Sequence, residues 1–322
     1  MIPTRLVNDE YGWETNRKFE SAIEIGLKDD RIILSTSFYQ NRSSSQLVGY
    51  ALPVITGQSS IQRNLPATVQ NTGWEFELNT VNLKENLSWT TNLNLTIPRN
   101  KLIEYPDLQN SPYANDYVIG KPLNIIKKYR YTGVDPVTGY YTFQDVNEDG
   151  VLTTDDYQFR GKLGTDLSLG MANTIKFKGL QLDFLIQAVK QTGRSYIESF
   201  GFPGSLSYNA NQPSLVMNRW EAPGDDTDIQ KFGSAGNSAY LNLGISDRYI
   251  ADASFIRLKN AQISYQLPMQ WLDKAKMKNA RVYVQGQNLL TVTNNLGLDP
   301  ETQSSKRLPP LRIITMGVQI LF

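Results

Sequence analysis

The residues of this chain best suited to chemistry lie between Asp145 and Asp156, in Asp-Val-Asn-Glu-Asp-Gly-Val-Leu-Thr-Thr-Asp-Asp. With Asp145 as position 1, side-chain oxygens fall at 1, 3 (Asn147), 5 (Asp149), 9 (Thr153) and 12 (Asp156). Gly150 stands at 6, where the chain turns sharply, and the Val151 carbonyl would serve position 7. That spacing is the layout of an EF-hand calcium loop, with Asp in place of the usual bidentate Glu at 12. The shorter side chain reaches less far, so the expected cofactor is a calcium ion held at the weak, extracellular end of the range. The competing reading is an Asx-rich turn whose carboxylates accept from backbone amides without metal. Either arrangement stiffens a loop, and neither leaves the open coordination position that Lewis-acid catalysis needs.

Other reactive constellations are few. The chain has 322 residues, a formal charge of +1, no Cys and no His. Ser-His-Asp and Cys-His triads are therefore excluded, as are the usual zinc sites. Near-neutral charge argues against a nucleic-acid partner, which calls for a basic patch. Asp225–Asp226, and Asp299 with Glu301, offer the paired carboxylates of a glycosidase. Nothing in their sequence setting raises the pKa of one acid, so the reading is of no enzyme. Tyr140, Tyr141, Tyr208 and Trp220 fall in long connections, where aromatic faces could contact a substrate.

The segments that position these residues alternate in polarity. Leu87, Trp89, Leu93, Leu95 and Ile97 oppose Ser88, Thr90, Asn92, Asn94 and Thr96. Successive side chains of a strand point to opposite faces, so one face is apolar and the other polar. The same pattern recurs in nine segments, ending with Ile314, Met316, Val318, Ile320 and Phe322 opposite Thr315, Gly317 and Gln319. Short joints alternate with long excursions at 42–70, 98–164, 190–253 and 291–309. Only Pro268 to Met277 hints at a helix.

No apolar run approaches the roughly 18 residues of a spanning helix. Strands of about 9–11 residues that alternate apolar-out and polar-in, with short turns at one end and long loops at the other, are the signature of an outer-membrane β-barrel. The expected fold is thus all-β, an antiparallel transmembrane barrel present in part. Nine strands cannot close a bacterial barrel, which uses an even number, and lipid does not tolerate open edges. Further strands are therefore expected upstream, with 1–17 as the end of an upstream loop or strand and 18–322 as the C-terminal part of the barrel. The runner-up is a secreted or surface β-sandwich that binds carbohydrate, with a calcium-stiffened loop.

Particular phrases sharpen the reading. Tyr11-Gly-Trp-Glu-Thr-Asn-Arg-Lys-Phe-Glu20, Ala51-Leu-Pro-Val54, Asn71-Thr-Gly-Trp-Glu75 and Asp145-Val-Asn-Glu-Asp-Gly150 occur in that order. Asn218-Arg-Trp220 with Pro223-Gly-Asp225, Asp252-Ala-Ser-Phe-Ile-Arg-Leu-Lys-Asn260, Gln287-Asn-Leu289, Asp299-Pro-Glu301 and the terminal Phe322 follow. Together they resemble the C-terminal part of SusC/RagA-type TonB-linked outer-membrane transporters of Bacteroidetes. The resemblance implies a barrel of about 22 strands with an N-terminal plug and a TonB-contacting segment, neither of them present here. It implies import of a large nutrient, glycan or oligopeptide, under a SusD-like lipoprotein lid and powered by the TonB complex. It also implies that the barrel-assembly machinery reads the last strand through Val318, Ile320 and Phe322.

Overall fold

Alternating polarity becomes a single antiparallel sheet. The computed structural model describes residues 8, 11–52, 54–200, 203, 205, 211–233, 237–274, 276–304 and 307–322. Nine strands follow one another in chain order: β1 (Thr15–Leu27), β2 (Ile32–Ser44), β3 (Thr68–Lys84), β4 (Leu87–Glu104), β5 (Gly164–Phe177), β6 (Leu180–Arg194), β7 (Phe255–Gln266), β8 (Asn279–Thr293) and β9 (Ile313–Leu321). Each pairs with the next, and the short strand Ile250–Asp252 adds to the far end of β6. β1 and β9 are the two edges.

Register carries the alternation from strand to strand. Leu78 faces Leu93, Leu93 faces Met171, Met171 faces Ile186, Ile186 faces Leu258 and Leu258 faces Leu290. One apolar row thus crosses six strands. The neighbouring row on the opposite face reads Glu77, Asn94, Gly170, Gln187, Arg257 and Thr291. A slip of one residue would turn every strand over, so matching both rows at once fixes the register. A bulge between Leu258 and Asn260 keeps both halves of β7 in step, with Ile256 and Leu258 above it and Ala261, Ile263 and Tyr265 below it facing outward.

The apolar face is bare. Met316 is 80% exposed and Val318 62%, and Ile263, Val284 and Ile320 are exposed as well. Among the described residues no second sheet stacks on it; the remaining pairings are two-stranded ribbons in the long connections. A sandwich would need that second layer, so the alternative architecture is ruled out.

A hydrogen-bonded polar group breaks into the apolar face near the short turns. Asn82 donates to Thr91 Oγ1 at 2.9 Å, Thr91 donates to Asn173 Oδ1 at 2.7 Å, and Trp89 Nε1 donates to the same oxygen at 2.9 Å. The group lies close to the short β3–β4 and β5–β6 turns, where headgroups begin and an indole N–H can be satisfied. Trp74 pairs with Ile97, eight residues from Trp89 along β4. At a tilt of about 40° that is roughly 20 Å along the membrane normal, close to the height of the apolar band, so the two mark its opposite rims.

The strands also run past the apolar band. β4 has 18 residues and β3 has 17, about twice what crossing demands. Pro98, expected in a loop, is inside β4 and pairs with Gly73. The turns at the other end are tight. Lys178 and Gly179 close β5–β6 with φ of 45° and 84°, the two left-handed residues that suit the twist of a hairpin. A Cβ on Gly179 would meet the Gln266 carbonyl at 3.1 Å. The expected helix appears as Met269–Lys274 between β7 and β8.

Candidate functional site

The long connections fold into a layer above the sheet. Two aromatic-rich cores hold it. One gathers Tyr141, Ile197, Ala239, Tyr240, Leu243 and Tyr249 from four separate stretches, with Tyr131, Phe143 and Tyr196 packed against them. The other joins Ala67 and Val69 at the start of β3 to Leu102, Tyr105 and Leu108 at the end of β4. A seven-residue helix, Ser238–Gly244, supplies Ala239, Tyr240 and Leu243 to the first core; the Asn237 side chain caps it by accepting from Ala239 N at 2.8 Å. The hairpin Tyr131–Val134 with Tyr141–Phe143 supplies Tyr131, Tyr141 and Phe143, and Tyr196, Ile197 and Tyr249 come from the segments after it.

Of the aromatics that sequence marks as substrate contacts, Tyr141 belongs to the first core and Trp220 is buried beside it in the layer. Tyr141 is 5% exposed, stands edge-on to Tyr240 with ring centroids 6.1 Å apart, and donates its amide to Gln230 Oε1 at 3.0 Å. Burial pushes its hydroxyl far above the usual tyrosine range. Trp220 is 9% exposed, with Nε1 donating to the Pro136 carbonyl at 3.1 Å. Its ring lies 2.4 Å from where a Cβ on Gly139 would be, which is why Gly139, at φ 72°, has no side chain. Tyr140 remains at the surface under the Lys231 ammonium, 4.1 Å from its ring centre. Tyr208 lies outside the described residues. Tyr141 and Trp220 therefore serve the layer's packing, a role indistinguishable from substrate contact by residue type alone.

The Asp145–Asp156 loop is drawn together by its own amides. Asp145 accepts from Glu148 N and Gly150 N, each at 2.8 Å. Asp149 Oδ1 accepts from Val151 N, and Asp149 Oδ2 accepts from Asn147 Nδ2, both at 2.8 Å. Asp156 is fully buried and takes Val146 N on one oxygen and Thr153 N on the other, at 2.8 Å each. Those two amides, with Thr153 ahead of Val146, hold its carboxyl below the usual range. Among the described residues no three His, Cys, Asp or Glu side chains lie close enough together to hold a metal ion. The donor set nevertheless keeps capacity for one, since a carboxylate has about four lone-pair sites and the amides here use two.

A buried ionic network was not legible as such. Arg257, on the polar face of β7, is 2% exposed. It donates to Asp299 Oδ2 and Glu301 Oε2 at 2.6 Å each, and to Thr291 Oγ1 at 2.9 Å. Lys259 Nζ adds 2.7 Å to Glu301 Oε2. Asp299 also accepts from Glu301 N and Thr302 N, and Gln191 donates to the Pro300 carbonyl at 2.8 Å. Residues 299–301 of the connection after β8 are thereby pinned against the polar face of β6 and β7. The carboxylate pair considered for hydrolysis is occupied in neutralising a buried guanidinium. The signal was present in the sequence: Arg257 and Lys259 lie in one recognised phrase, Asp299 and Glu301 in another.

Removing one partner of such a pair strands a buried charge, at about 3–5 kcal/mol. Arg257→Met should make the 294–312 connection of the full-length protein readily cleavable by added protease. Adding Asp299→Leu should recover most of the resistance. Equal cleavage of parent and single variant would contradict the pinning role.

No protein-family model matches the chain. TonB-dependent receptor P3 of Formosa agariphila is 26% identical over 364 aligned residues, covering 100% of this chain and 35% of that protein. TonB-dependent receptor SusC of Bacteroides thetaiotaomicron is 22% identical, over 99% of this chain and 33% of that protein. The chain spans about a third of the length of these curated relatives. A solved structure of the RagAB peptide transporter superposes with a TM-score of 0.83 over 97% of this chain and 36% of that one, at 22% identity. It supports the fold. Relatives, superposition and lipid-facing sheet converge: the chain is part of an outer-membrane β-barrel, and over its whole length it is similar to SusC/RagA-type TonB-dependent receptors.

Proposed function

We propose that the protein to which this chain contributes imports a large nutrient, a glycan or an oligopeptide, across the outer membrane. Energy comes from the TonB complex through a segment outside this chain, and a SusD-like lipoprotein closes over the loop layer. The observation that carries this reading is the polar inner face of a lipid-bound sheet, topped by a loop layer with buried cores and a pinned connection. Ordered loops on a rigid wall are where binding residues concentrate. The RagAB structures, of a peptide importer in open-open and closed-closed states, give the reading a precedent. Val318, Ile320 and Phe322, exposed on the outer face at the β9 edge, would meet lipid after assembly and the assembly machinery before it.

Uptake by cells carrying the full-length receptor tests the proposal. Labelled oligopeptide or oligosaccharide should accumulate only when both receptor and TonB are present. Accumulation that is unchanged by deleting the receptor would end this reading.

The Asp145–Asp156 loop is proposed as a calcium site within the same layer. Its support is the spacing of Asp145, Asn147, Asp149, Val151, Thr153 and Asp156, with Asp156 already buried beside Asp145. Asp145, Asn147, Asp149, Thr153 and Asp156 would hold the ion by side-chain oxygen and Val151 by its carbonyl; bound calcium would brace the loop. In the full-length protein, calcium should slow proteolysis between Gln144 and Tyr157, and Asp145→Ala with Asp149→Ala should remove the effect while membrane insertion persists. Identical digestion in calcium and in chelator would dispose of the site.

A further inference from the structure

The loop layer contains an open cavity of about 840 Å³. Its walls are Ser195–Ile197 after β6, parts of 215–229, Arg248 with the short strand Ile250–Asp252, and Asn294–Leu296 at the start of the pinned connection. The volume is within the range of small-ligand sites and would take a few residues of an extended chain.

Its charges do not balance. Asp225, Asp226, Asp228 and Asp252 line it against Arg219 and Arg248. Arg219 is committed to Glu221 at 2.7 Å and to the face of Phe232 at 4.2 Å. Arg248 pairs with Asp228 at 3.2 Å. Asp225 accepts from the amides of Glu221 and Ala222, which hold its carboxyl below the usual range, and Asp252 accepts from Ser254 N. Asp226 is exposed and has no hydrogen bond or ion pair among the described residues. The side-chain amides of Asn218 and Asn294 are likewise uncommitted among the described residues.

The rest of the lining discriminates between cargo classes. Sugar sites rely on aromatic faces for stacking, yet Tyr131, Tyr141, Tyr240 and Tyr249 are consumed by the core behind the cavity. Tyr196, the one aromatic residue of the wall among the described residues, packs against that same core. Carboxamides match peptide groups, donor to acceptor and acceptor to donor. Leu215, Ile250 and Leu296 give apolar surface to side chains.

We propose that this cavity binds a short, positively charged stretch of oligopeptide, with Asn218 and Asn294 on its backbone and Asp226 on its ammonium or guanidinium. The proposal rests on the import reading and narrows its cargo to peptides. The test titrates full-length receptor in detergent with end-blocked alanine pentapeptides carrying central Lys, Gln or Glu, and with a linear glucose pentasaccharide. The Lys peptide should bind most tightly and weaken with added salt. Asp226→Asn should weaken it about fivefold, the upper range for an exposed charge pair, and leave the Gln peptide unchanged. Binding of the saccharide alone, no preference among the peptides, or an unaltered Lys peptide in Asp226→Asn would each overturn the proposal. TonB-driven uptake that persists in Asp226→Asn for a glycan leaves import standing while the peptide site falls.

Discussion

Hydrocarbon offers a peptide group no hydrogen bond, and the rest of this structure depends on that. A backbone that crosses lipid must satisfy its own N–H and C=O groups, and a continuous ladder between neighbouring strands does so. The nine-strand sheet obeys in its plane through antiparallel pairing of each strand with the next, and across its plane through the row from Leu78 to Leu290. In water such a face would be a severe aggregation hazard. In lipid it is the surface that belongs there. Even the exception conforms in part, since Asn82, Trp89 and Thr91 donate within one group that ends on Asn173 Oδ1, where the headgroups begin.

With the wall fixed by lipid, the loops answer to a different solvent. Outside the membrane they have water on one side and must build cores of their own, which the two aromatic clusters provide. They also need ties to the wall. Arg257 is placed by strand register on the polar face, and only there can a guanidinium meet Asp299 and Glu301 from a loop that folds back over the sheet. Burial makes that tie strong in geometry and intolerant of losing a partner. The cavity lies between such ties, and its walls inherit their order.

Much of this was written in the sequence, and the division has a physical basis. A period of two over ten residues is a local property, so strands such as Leu87 to Ile97, the short turns and the two-faced sheet are visible without coordinates. Strand ends are less visible, because past the apolar band nothing forces alternation; Pro98 is one consequence. Pairings between distant loops are not visible at all. Asp299 and Glu301 read only as paired carboxylates until Arg257 is seen between them, and Tyr141 reads as a candidate substrate contact until its burial is known. The Asp145–Asp156 loop was legible as either a calcium cage or a self-bonded turn, and the amide bonds to Asp145, Asp149 and Asp156 draw the loop together as both readings require.

The central claim, that lipid covers the odd-numbered face of β4, is open to one direct measurement. Nitroxide labels placed singly from Trp89 to Ile97 in the full-length protein, reconstituted in bilayers, report collisions with oxygen dissolved in the membrane and with a water-soluble nickel complex. Oxygen contact should peak at positions 93, 95 and 97 and nickel contact at 92, 94 and 96, with period two along the strand. Equal oxygen contact at odd and even positions, or nickel reaching 93 and 95, would contradict the account.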